Sequence, residues 1–245
     1  MTALSRVARA NRRTRHLVPL KLRLIDRAFE QLGCRSVADL GGVWAVDAGY
    51  SLYAADRHDA DRVVICDDDF TEPVMRRADR DGRIELVRGN FGSPETVERV
   101  GEVDLLLLYD VLLHQVRPDW DEILAMYAPT VRCIALAGPW WRGSDTVRLL
   151  DLGHERYLDL VPMRELHEEI LAKIDDFNER RGRPWRDCHD IWQWGITDMD
   201  LRAKLRGLDF KPVYFEQTGR WRGLDGFDDN GYLFVREEPT ERFEA

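Results

Sequence analysis

The stretch from Val103 to His114, VDLLLLYDVLLH, limits the possible folds more than any other part of the chain. Its leucines follow one another without polar alternation, which is typical of a strand buried on both faces of a sheet. Such a strand belongs at the centre of a parallel sheet that is covered by helices on both sides. Two polar side chains, Asp110 and His114, follow the strand at its end. The pattern therefore predicts an α/β fold with a polar edge at the end of its central strand.

Strand and helix patterns alternate five times along the first half of the chain, which favours a doubly wound, mostly parallel sheet. Two final strands are joined by a short loop rich in Gly and Asp and predict an antiparallel pair at one edge, so that seven strands are expected in all. The predicted strands are one that begins at Ser36, Arg62–Cys66, Arg83–Val87, the central strand, Val131–Ala137, Phe210–Glu216 and Gly231–Arg236. The predicted helices are Leu20–Leu32, one near Tyr50–Ala55, one that begins at Ser93 and one that begins at Pro118.

An aromatic, irregular segment at about 138–207 interrupts this alternation, and we interpret it as an inserted lid. Its apolar spacing predicts a helix marked by Leu166, Ile170, Ile174 and Phe177 that stops near Gly182, and Thr197 with Asp200 predicts the start of another. The domain prediction is therefore a basic N-terminal arm at 1–23, followed by one domain at 24–245 that contains the insertion.

The net charge is −9, but residues 1–23 hold seven bases and no acid, so the remainder carries −16. A body this acidic repels a nucleic-acid backbone, and we expect the arm to dock on it. No run approaches the roughly 20 apolar residues of a membrane span. The four cysteines form no Cys-x-x-Cys pair, which favours reduced thiols and a cytoplasmic protein. The sequence does not determine an oligomeric state.

The first predicted strand ends in Asp39-Leu40-Gly41-Gly42, an acid followed by two adjacent glycines. Glycines at a strand end bring bare backbone close to a ligand at the carboxyl edge of a sheet. A dinucleotide fold requires Gly-x-Gly-x-x-Gly for its pyrophosphate, and this chain lacks that spacing. The loop therefore favours a nucleotide-like ligand without a diphosphate.

At this point the sequence resembles the class I S-adenosylmethionine (SAM)-dependent methyltransferases, whose first motif is an acid-x-Gly-x-Gly strand end. Asp39-Leu40-Gly41 matches the opening of that motif, whereas Val43 stands where the family usually has its second glycine. The resemblance implies a Rossmann-like fold with an antiparallel last strand, SAM as the cofactor, and methyl transfer to a small-molecule acceptor.

The resemblance also implies roles for individual residues. Asp67 would accept the ribose hydroxyls, with Asp68 as the alternative if its strand is one residue longer. Asn90 would pair with the adenine edge and Phe91 would lie against the adenine ring. Asp110 and His114 correspond to the family's fourth motif, which lies closest to the transferred methyl. The expected cofactor site therefore consists of Asp39, Gly41, Gly42, Asp67, Asp68, Asn90, Phe91 and Asp110.

Methyl transfer to a hydroxyl requires positioning of the acceptor and removal of its proton, for which a histidine is suited. His114 is a candidate because of its place beside the methyl, and His189 because it lies in the unusual string CHDIWQW. Magnesium remains an alternative, because a helical turn would place Asp110 and His114 on one face.

The leading hypothesis is thus O-methylation of a small molecule such as a sugar or a secondary metabolite. A non-catalytic SAM-binding module is the first alternative, since positions 43 and 45 lack glycine. A nicotinamide-dependent oxidoreductase is the second, although the glycine spacing and the final strand pair disfavour it.

Overall fold

The computed structural model describes residues 17–237, and its centre is a seven-stranded sheet in the order β10-β11-β5-β4-β1-β2-β3. The sheet strands are β1 Ser36–Leu40, β2 Arg62–Asp67, β3 Ile84–Arg88, β4 Val103–Tyr109, β5 Val131–Trp141, β10 Phe210–Arg220 and β11 Phe227–Arg236. Four two-residue strands form two separate pairs, β6 Val147–Arg148 with β9 Trp194–Gly195, and β7 Phe177–Asn178 with β8 Arg183–Pro184.

The helices are α1 Pro19–Leu32, α2 Gly49–His58, α3 Glu72–Ala78, α4 Pro94–Val100, α5 Trp120–Tyr127, α6 His154–Leu160, α7 Arg164–Leu171 and α8 Asp198–Arg206. Three predicted helix ends are confirmed. Gly33 ends α1 in the left-handed conformation, and the Ser93 hydroxyl accepts from the Thr96 N–H at the start of α4. The Thr197 hydroxyl likewise accepts from the Asp200 N–H and begins α8.

The central position of β4 is confirmed, since it pairs in parallel with β1 on one side and with β5 on the other. The antiparallel end of the sheet is confirmed as well: β11 runs antiparallel to both β5 and β10. Apolar side chains fill a core on each face of the sheet, as expected for buried parallel strands. The fold is the doubly wound, mostly parallel arrangement that the alternation predicts.

The segment between β5 and β10 differs from the sequence prediction in two places. β5 continues to Trp141, four residues beyond its predicted end, because Trp141 still pairs with Phe227 of β11. The predicted helix to Phe177 is wrong: α7 ends at Leu171, and Phe177 belongs to the short strand β7. Ile174 stays buried by packing after the helix has ended. The residues after Trp141, here called the insertion (142–209), supply most of a third apolar cluster, which Leu113, Trp221 and Phe227 complete.

The basic arm lies mostly at 1–16, outside the described residues, and α1 includes its last two bases, Lys21 and Arg23. All four cysteines are buried free thiols, as expected. Within 17–237, the helices are all too short or too polar to cross a bilayer.

Candidate functional site

Three carboxylates lie together where β1, β2 and β4 end at the same edge of the sheet. The strands are aligned, because Asp39 of β1 pairs with Leu107 of β4, and Leu40 pairs with Cys66 of β2. Asp39, Asp67 and Asp110 stand at or directly beyond these strand ends. The parallel register thus collects negative charge at one edge, where ligands of open α/β sheets bind.

The loop after β1 has a path that depends on its glycines. Gly41 has φ +73°, and a Cβ there would lie 2.9 Å from Cγ1 of Val111. A Cβ on Gly42 would lie 2.2 Å from Oδ2 of Asp39. The protein's own packing therefore requires both glycines, quite apart from any ligand. Ala45 and Ala48 also have positive φ values, of 67° and 57°, and such strain in non-glycine residues concentrates at ligand sites.

The Asp39 carboxylate lies beneath this loop and is only 1% exposed. Its Oδ2 accepts a hydrogen bond from the Ser51 hydroxyl at 2.6 Å. Burial raises the pKa of Asp39 to about 6, partly offset by the Ser51 hydrogen bond. Asp39 therefore changes its charge close to neutral pH.

The three consecutive aspartates after β2 have three different environments. β2 includes Asp67, so the strand is one residue longer than predicted, which is the condition under which Asp68 becomes the alternative ribose contact. The contacts of the two side chains therefore decide between them. Oδ2 of Asp67 accepts the Val43 N–H at 3.0 Å, and burial raises the pKa of this carboxyl. Asp68 lines a cavity, and its Oδ2 lies 3.2 Å from the Arg181 guanidinium. Asp69 is exposed and pairs with Arg88. Asp67 thus faces the loop after β1, whereas Asp68 faces the insertion.

Asn90 and Phe91 follow β3 in the expected place. The Asn90 side-chain oxygen accepts a hydrogen bond from the Gly92 N–H at 2.8 Å, which closes a local turn. The NH₂ group of Asn90 takes no part in that bond. Phe91 is buried, and its ring edge lies 3.6 Å from the position that a Cβ on Gly41 would occupy. Phe91 therefore supports the loop after β1 from the protein interior.

Asp110 forms an ion pair with Lys21, a residue that the sequence analysis did not assign to the site. The Lys21 side chain is 8% exposed, and its ammonium lies 5.4 Å from the ring centres of both Tyr50 and Tyr109. Burial is the largest single effect and lowers the pKa of Lys21, but the charges of Asp110, Tyr50 and Asp229, together with the hydrogen bond to Asp110, outweigh it and raise the pKa. Lys21 lies on the buried face of α1 with Leu24, Ile25 and Ala28. A lysine at the spacing of buried apolar residues is the feature of the sequence that could have identified it as a site residue.

The second oxygen of Asp110, Oδ1, is buried and has no hydrogen-bond partner within the described residues. A Cβ on Gly138 would lie 2.7 Å from this oxygen, so the glycine leaves room for it. An unpaired buried acceptor is costly in a folded protein, which makes Oδ1 a place for a donor supplied by a ligand.

His114 ends a short 3₁₀ helix, Leu112–His114, and Asp110 lies outside it with φ 57°. The helical turn that would place both residues on one face is therefore absent, and this premise for magnesium is wrong. Nδ1 of His114 lies 3.0 Å from the Ile191 carbonyl oxygen, so Nδ1 carries a proton and the lone pair is on Nε2. Burial lowers the pKa of His114, which keeps the ring neutral at pH 7.

His189 does not join this group. It lines a cavity with Asp68 and Asn90, beyond β2 and β3, and its Nε2 is buried without a hydrogen-bond partner. Burial lowers the pKa of His189 to about 4. The structure thus brings Asp39, Asp67 and Asp110 together at one edge, with His114 anchored to the insertion and His189 further along the sheet.

These residues fit a ligand that has a cationic end and a polar ring system. The unpaired Oδ1 of Asp110 can accept from an ammonium, and Asp67 offers a charged acceptor for hydroxyls. Asn90 and His189 offer neutral donors and acceptors for a heterocycle. Among the described residues, Asp26, Glu30 and His58 also lie close enough to share a metal ion, but they belong to α1 and α2, away from this edge.

No protein-family model matches the sequence, and no curated protein does. Solved structures match its fold. The N1-methyltransferase for 1,6-didemethyltoxoflavin from Burkholderia thailandensis, with that compound and S-adenosylhomocysteine bound, is 15% identical with a TM-score of 0.59; the match covers 96% of this chain and 86% of that one. The N-terminal domain of EvdMO1, in the presence of S-adenosylhomocysteine and D-fucose, is 14% identical with a TM-score of 0.56, covering 97% and 98%.

An O-methyltransferase family protein from Burkholderia thailandensis is also similar, with 15% identity and a TM-score of 0.52. The match covers 97% of this chain but only 58% of that longer protein. Together with the strand order and the antiparallel β11, these similarities show that the chain has the class I SAM-dependent methyltransferase fold.

Proposed function

We propose that this protein is a SAM-dependent methyltransferase that methylates an oxygen of a small-molecule acceptor. The observation that carries the proposal is the set of three carboxylates at the ends of β1, β2 and β4, below a strained loop. SAM carries an ammonium, a sulfonium and a ribose diol, all of which suit a negatively charged edge. The solved structures described above, with S-adenosylhomocysteine bound or present, support the same cofactor.

In this proposal each cofactor contact follows from the position of its residue. Asp67 accepts the ribose hydroxyls, with Asp68 beside it, and Oδ1 of Asp110 accepts from the ammonium. Asn90 hydrogen-bonds the adenine edge. Asp39, Gly41, Gly42 and Phe91 shape the loop after β1 from below, as the contacts with Ser51 and Val111 indicate. The chain's main contribution is to hold cofactor and acceptor in line.

We assign the removal of the acceptor proton to His114. Its Nδ1–H is held by the Ile191 carbonyl, which fixes the ring and leaves Nε2 as the proton acceptor. A lowered pKa keeps that lone pair available at pH 7. An O-methyl acceptor needs such a base more than an amine does, and D-fucose, the sugar present with EvdMO1, is a hydroxyl-rich compound.

One observation favours a non-catalytic SAM-binding module instead. The space beside Asp110 and Val111, below Trp140, amounts to only about 10 Å³. A space of this size holds no more than a water molecule, so an acceptor must bind outside it or displace its lining, which includes Ile196 of the insertion. Binding of SAM without turnover on any acceptor would be expected for this alternative.

The deciding experiment compares thermal unfolding with SAM, S-adenosylhomocysteine, NAD and NADP. A ligand at a hundredfold excess over its Kd stabilises by about 2.7 kcal/mol. Stabilisation by SAM and S-adenosylhomocysteine alone supports the proposal, whereas stabilisation by NAD or NADP contradicts it. Transfer of a labelled methyl group from SAM to a panel of sugars and phenols then separates an enzyme from a binding module.

A further inference from the structure

A polar cavity of about 240 Å³ lies between the sheet edge and the insertion. Asp68 and Asn90, which follow β2 and β3, line it from the sheet side. Arg181, Arg183 and His189 line it from the insertion. The sheet and the insertion thus enclose a space of their own, separate from the edge beyond β4.

The position of this cavity along the sheet argues against a role in proton removal. β2 and β3 are the second and third strands from β4 in the sheet order. Neighbouring strands lie about 4.8 Å apart, so the cavity begins roughly 10 Å from the end of β4. A base must come within about 3 Å of the proton that it removes. The His189 ring lines this cavity with Asp68 and Asn90 and is absent from the lining of the space beside Asp110, so it faces the ends of β2 and β3 and not Asp110.

His189 has an unused hydrogen-bonding atom in this cavity. Its Nε2 is buried without a partner in the described part of the chain. The Asn90 side-chain oxygen already accepts the Gly92 N–H, so Asn90 contributes chiefly its NH₂ donors. The edge of a heterocycle such as adenine presents both donors and acceptors. The neutral imidazole of His189 can supply the hydrogen-bonding atom that Asn90 alone does not provide.

An ion pair holds the insertion at the same place. The Arg181 guanidinium lies 3.2 Å from Oδ2 of Asp68, and 3.9 Å from the Asp190 carboxylate. These contacts connect the loop that carries His189 to the end of β2. The insertion side of the cavity is thus attached to the sheet directly beside Asp67, the proposed ribose contact.

We propose that residues 177–193 form a roof over the adenosyl half of the cofactor and that His189 hydrogen-bonds that half directly. This inference rests on the proposed function, and it changes His189 from an acceptor-side base to a cofactor-binding residue. The insertion then has two tasks, since Ile191 orients His114 on the acceptor side while His189 closes the cofactor side.

Binding of two probes by calorimetry tests this inference without the true acceptor. S-adenosylhomocysteine is the complete probe, and 5′-methylthioadenosine contains the adenosyl half without the amino acid. We expect His189→Ala to weaken both by the same factor, about tenfold, as for a lost buried hydrogen bond. We expect His189→Gln, which restores an amide at similar reach, to recover most of that loss. His154→Ala, an exposed histidine of the same insertion, serves as the matched control and should bind like the wild type.

The outcomes separate the two levels of the proposal. If the wild type binds neither probe, the proposed function fails. If the wild type binds both, and folded His189→Ala and His189→Gln bind them equally well, the function stands and the roof is overturned. A loss for S-adenosylhomocysteine alone would also overturn it, because His189 would then act at the amino-acid end. Should His189→Ala not fold, His189→Leu, which fills the space without any hydrogen-bonding group, replaces it and should weaken both probes by the same factor; unchanged binding by a folded Leu variant would overturn the roof.

Discussion

Replacing Asp39 by Asn should stabilise the free protein at pH 7.5, even though Asp39 belongs to the proposed site. Burial holds the pKa of Asp39 at about 6, against 3.8 for the unfolded chain. The folded state therefore binds this proton more tightly, and the associated stability is present below pH 3.8 and lost as the pH rises through 6. Two pKa units correspond to about 3 kcal/mol, which is the cost of the buried charge at pH 7.5.

Urea unfolding of wild type and Asp39→Asn between pH 4 and 8 measures this cost. The difference in free energy of unfolding should be about 0.5 kcal/mol at pH 4, rise steeply to half its full size near pH 5, and level off above pH 6 at about 3 kcal/mol in favour of Asn. Taking the difference at each pH cancels the titrations that the two proteins share. Ser51→Ala is the matched control, because it removes the hydroxyl that stabilises the charge of Asp39. The folded-state pKa of Asp39, and with it the pH at which the stability difference levels off, should therefore move upward.

A difference that does not vary with pH would refute this reasoning, and so would a destabilised Asn variant at pH 7.5. The cofactor affinity supplies the other half of the argument. If the charge of Asp39 is maintained for a cationic ligand, Asp39→Asn should bind SAM less tightly while it unfolds at higher urea. Gain of stability with loss of binding is common where a site holds an unfavourable charge.

Three further predictions concern the same edge. Asp67→Asn should weaken SAM binding by about 1.5–3 kcal/mol because it removes a charged acceptor, whereas Asp69→Asn, its exposed neighbour, should not; equal calorimetric affinities for the two variants would contradict the ribose assignment. Asp110→Asn should destabilise the protein by about 3 kcal/mol, because it leaves the charge of Lys21, whose side chain is only 8% exposed, without its partner. Lys21→Met should cost only about 1 kcal/mol, because the Asp110 side chain is 39% exposed and its charge can be solvated. Urea unfolding with the opposite ranking would show that the lysine is not the buried partner. His114→Asn keeps a donor for the Ile191 carbonyl but has no base, so it should lose about 10²–10⁴ in turnover, as His114→Ala should; normal turnover in the Asn variant would make His114 purely structural.

The sheet could be predicted from the sequence because each of its strands carries a local signal. The unbroken leucines of β4 require burial on both faces, and that alone places β4 at the centre. The carboxyl edge then follows from connectivity, since the parallel strands all end on one side. Asp39, Asp67 and Asp110 could be predicted to lie near one another for this reason, with no knowledge of any side-chain contact.

The insertion could not be predicted in this way because its contacts join residues far apart in the sequence. Arg181 meets Asp68 across 113 positions, and the His114 ring meets the Ile191 carbonyl across 77. Neither contact belongs to a repeating pattern. The predicted helix to Phe177 failed for a related reason: the apolar spacing continues past Leu171, but Ile174 is buried by tertiary packing and not by helical periodicity.

The buried lysine of α1 connects the electrostatics of the site with its proposed ligand. Asp39 and Asp67 both have raised pKa values, mainly through burial. Repulsion from Asp67 adds to the rise for Asp39, and repulsion from Asp68 adds to the rise for Asp67. Lys21 is one positive charge among these acids: it pairs directly with Oδ2 of Asp110, acts at longer range on Asp39 and Asp229, and leaves Oδ1 of Asp110 without a partner in the described residues. The edge therefore keeps an excess of negative charge in a poorly solvated place. At the ends of β1, β2 and β4, a ligand with a net positive charge, such as SAM, relieves that excess, whereas a diphosphate placed there adds to it. This argument against a dinucleotide is independent of the glycine spacing, and it concerns the three carboxylates and not the arginine-lined cavity beyond β2 and β3.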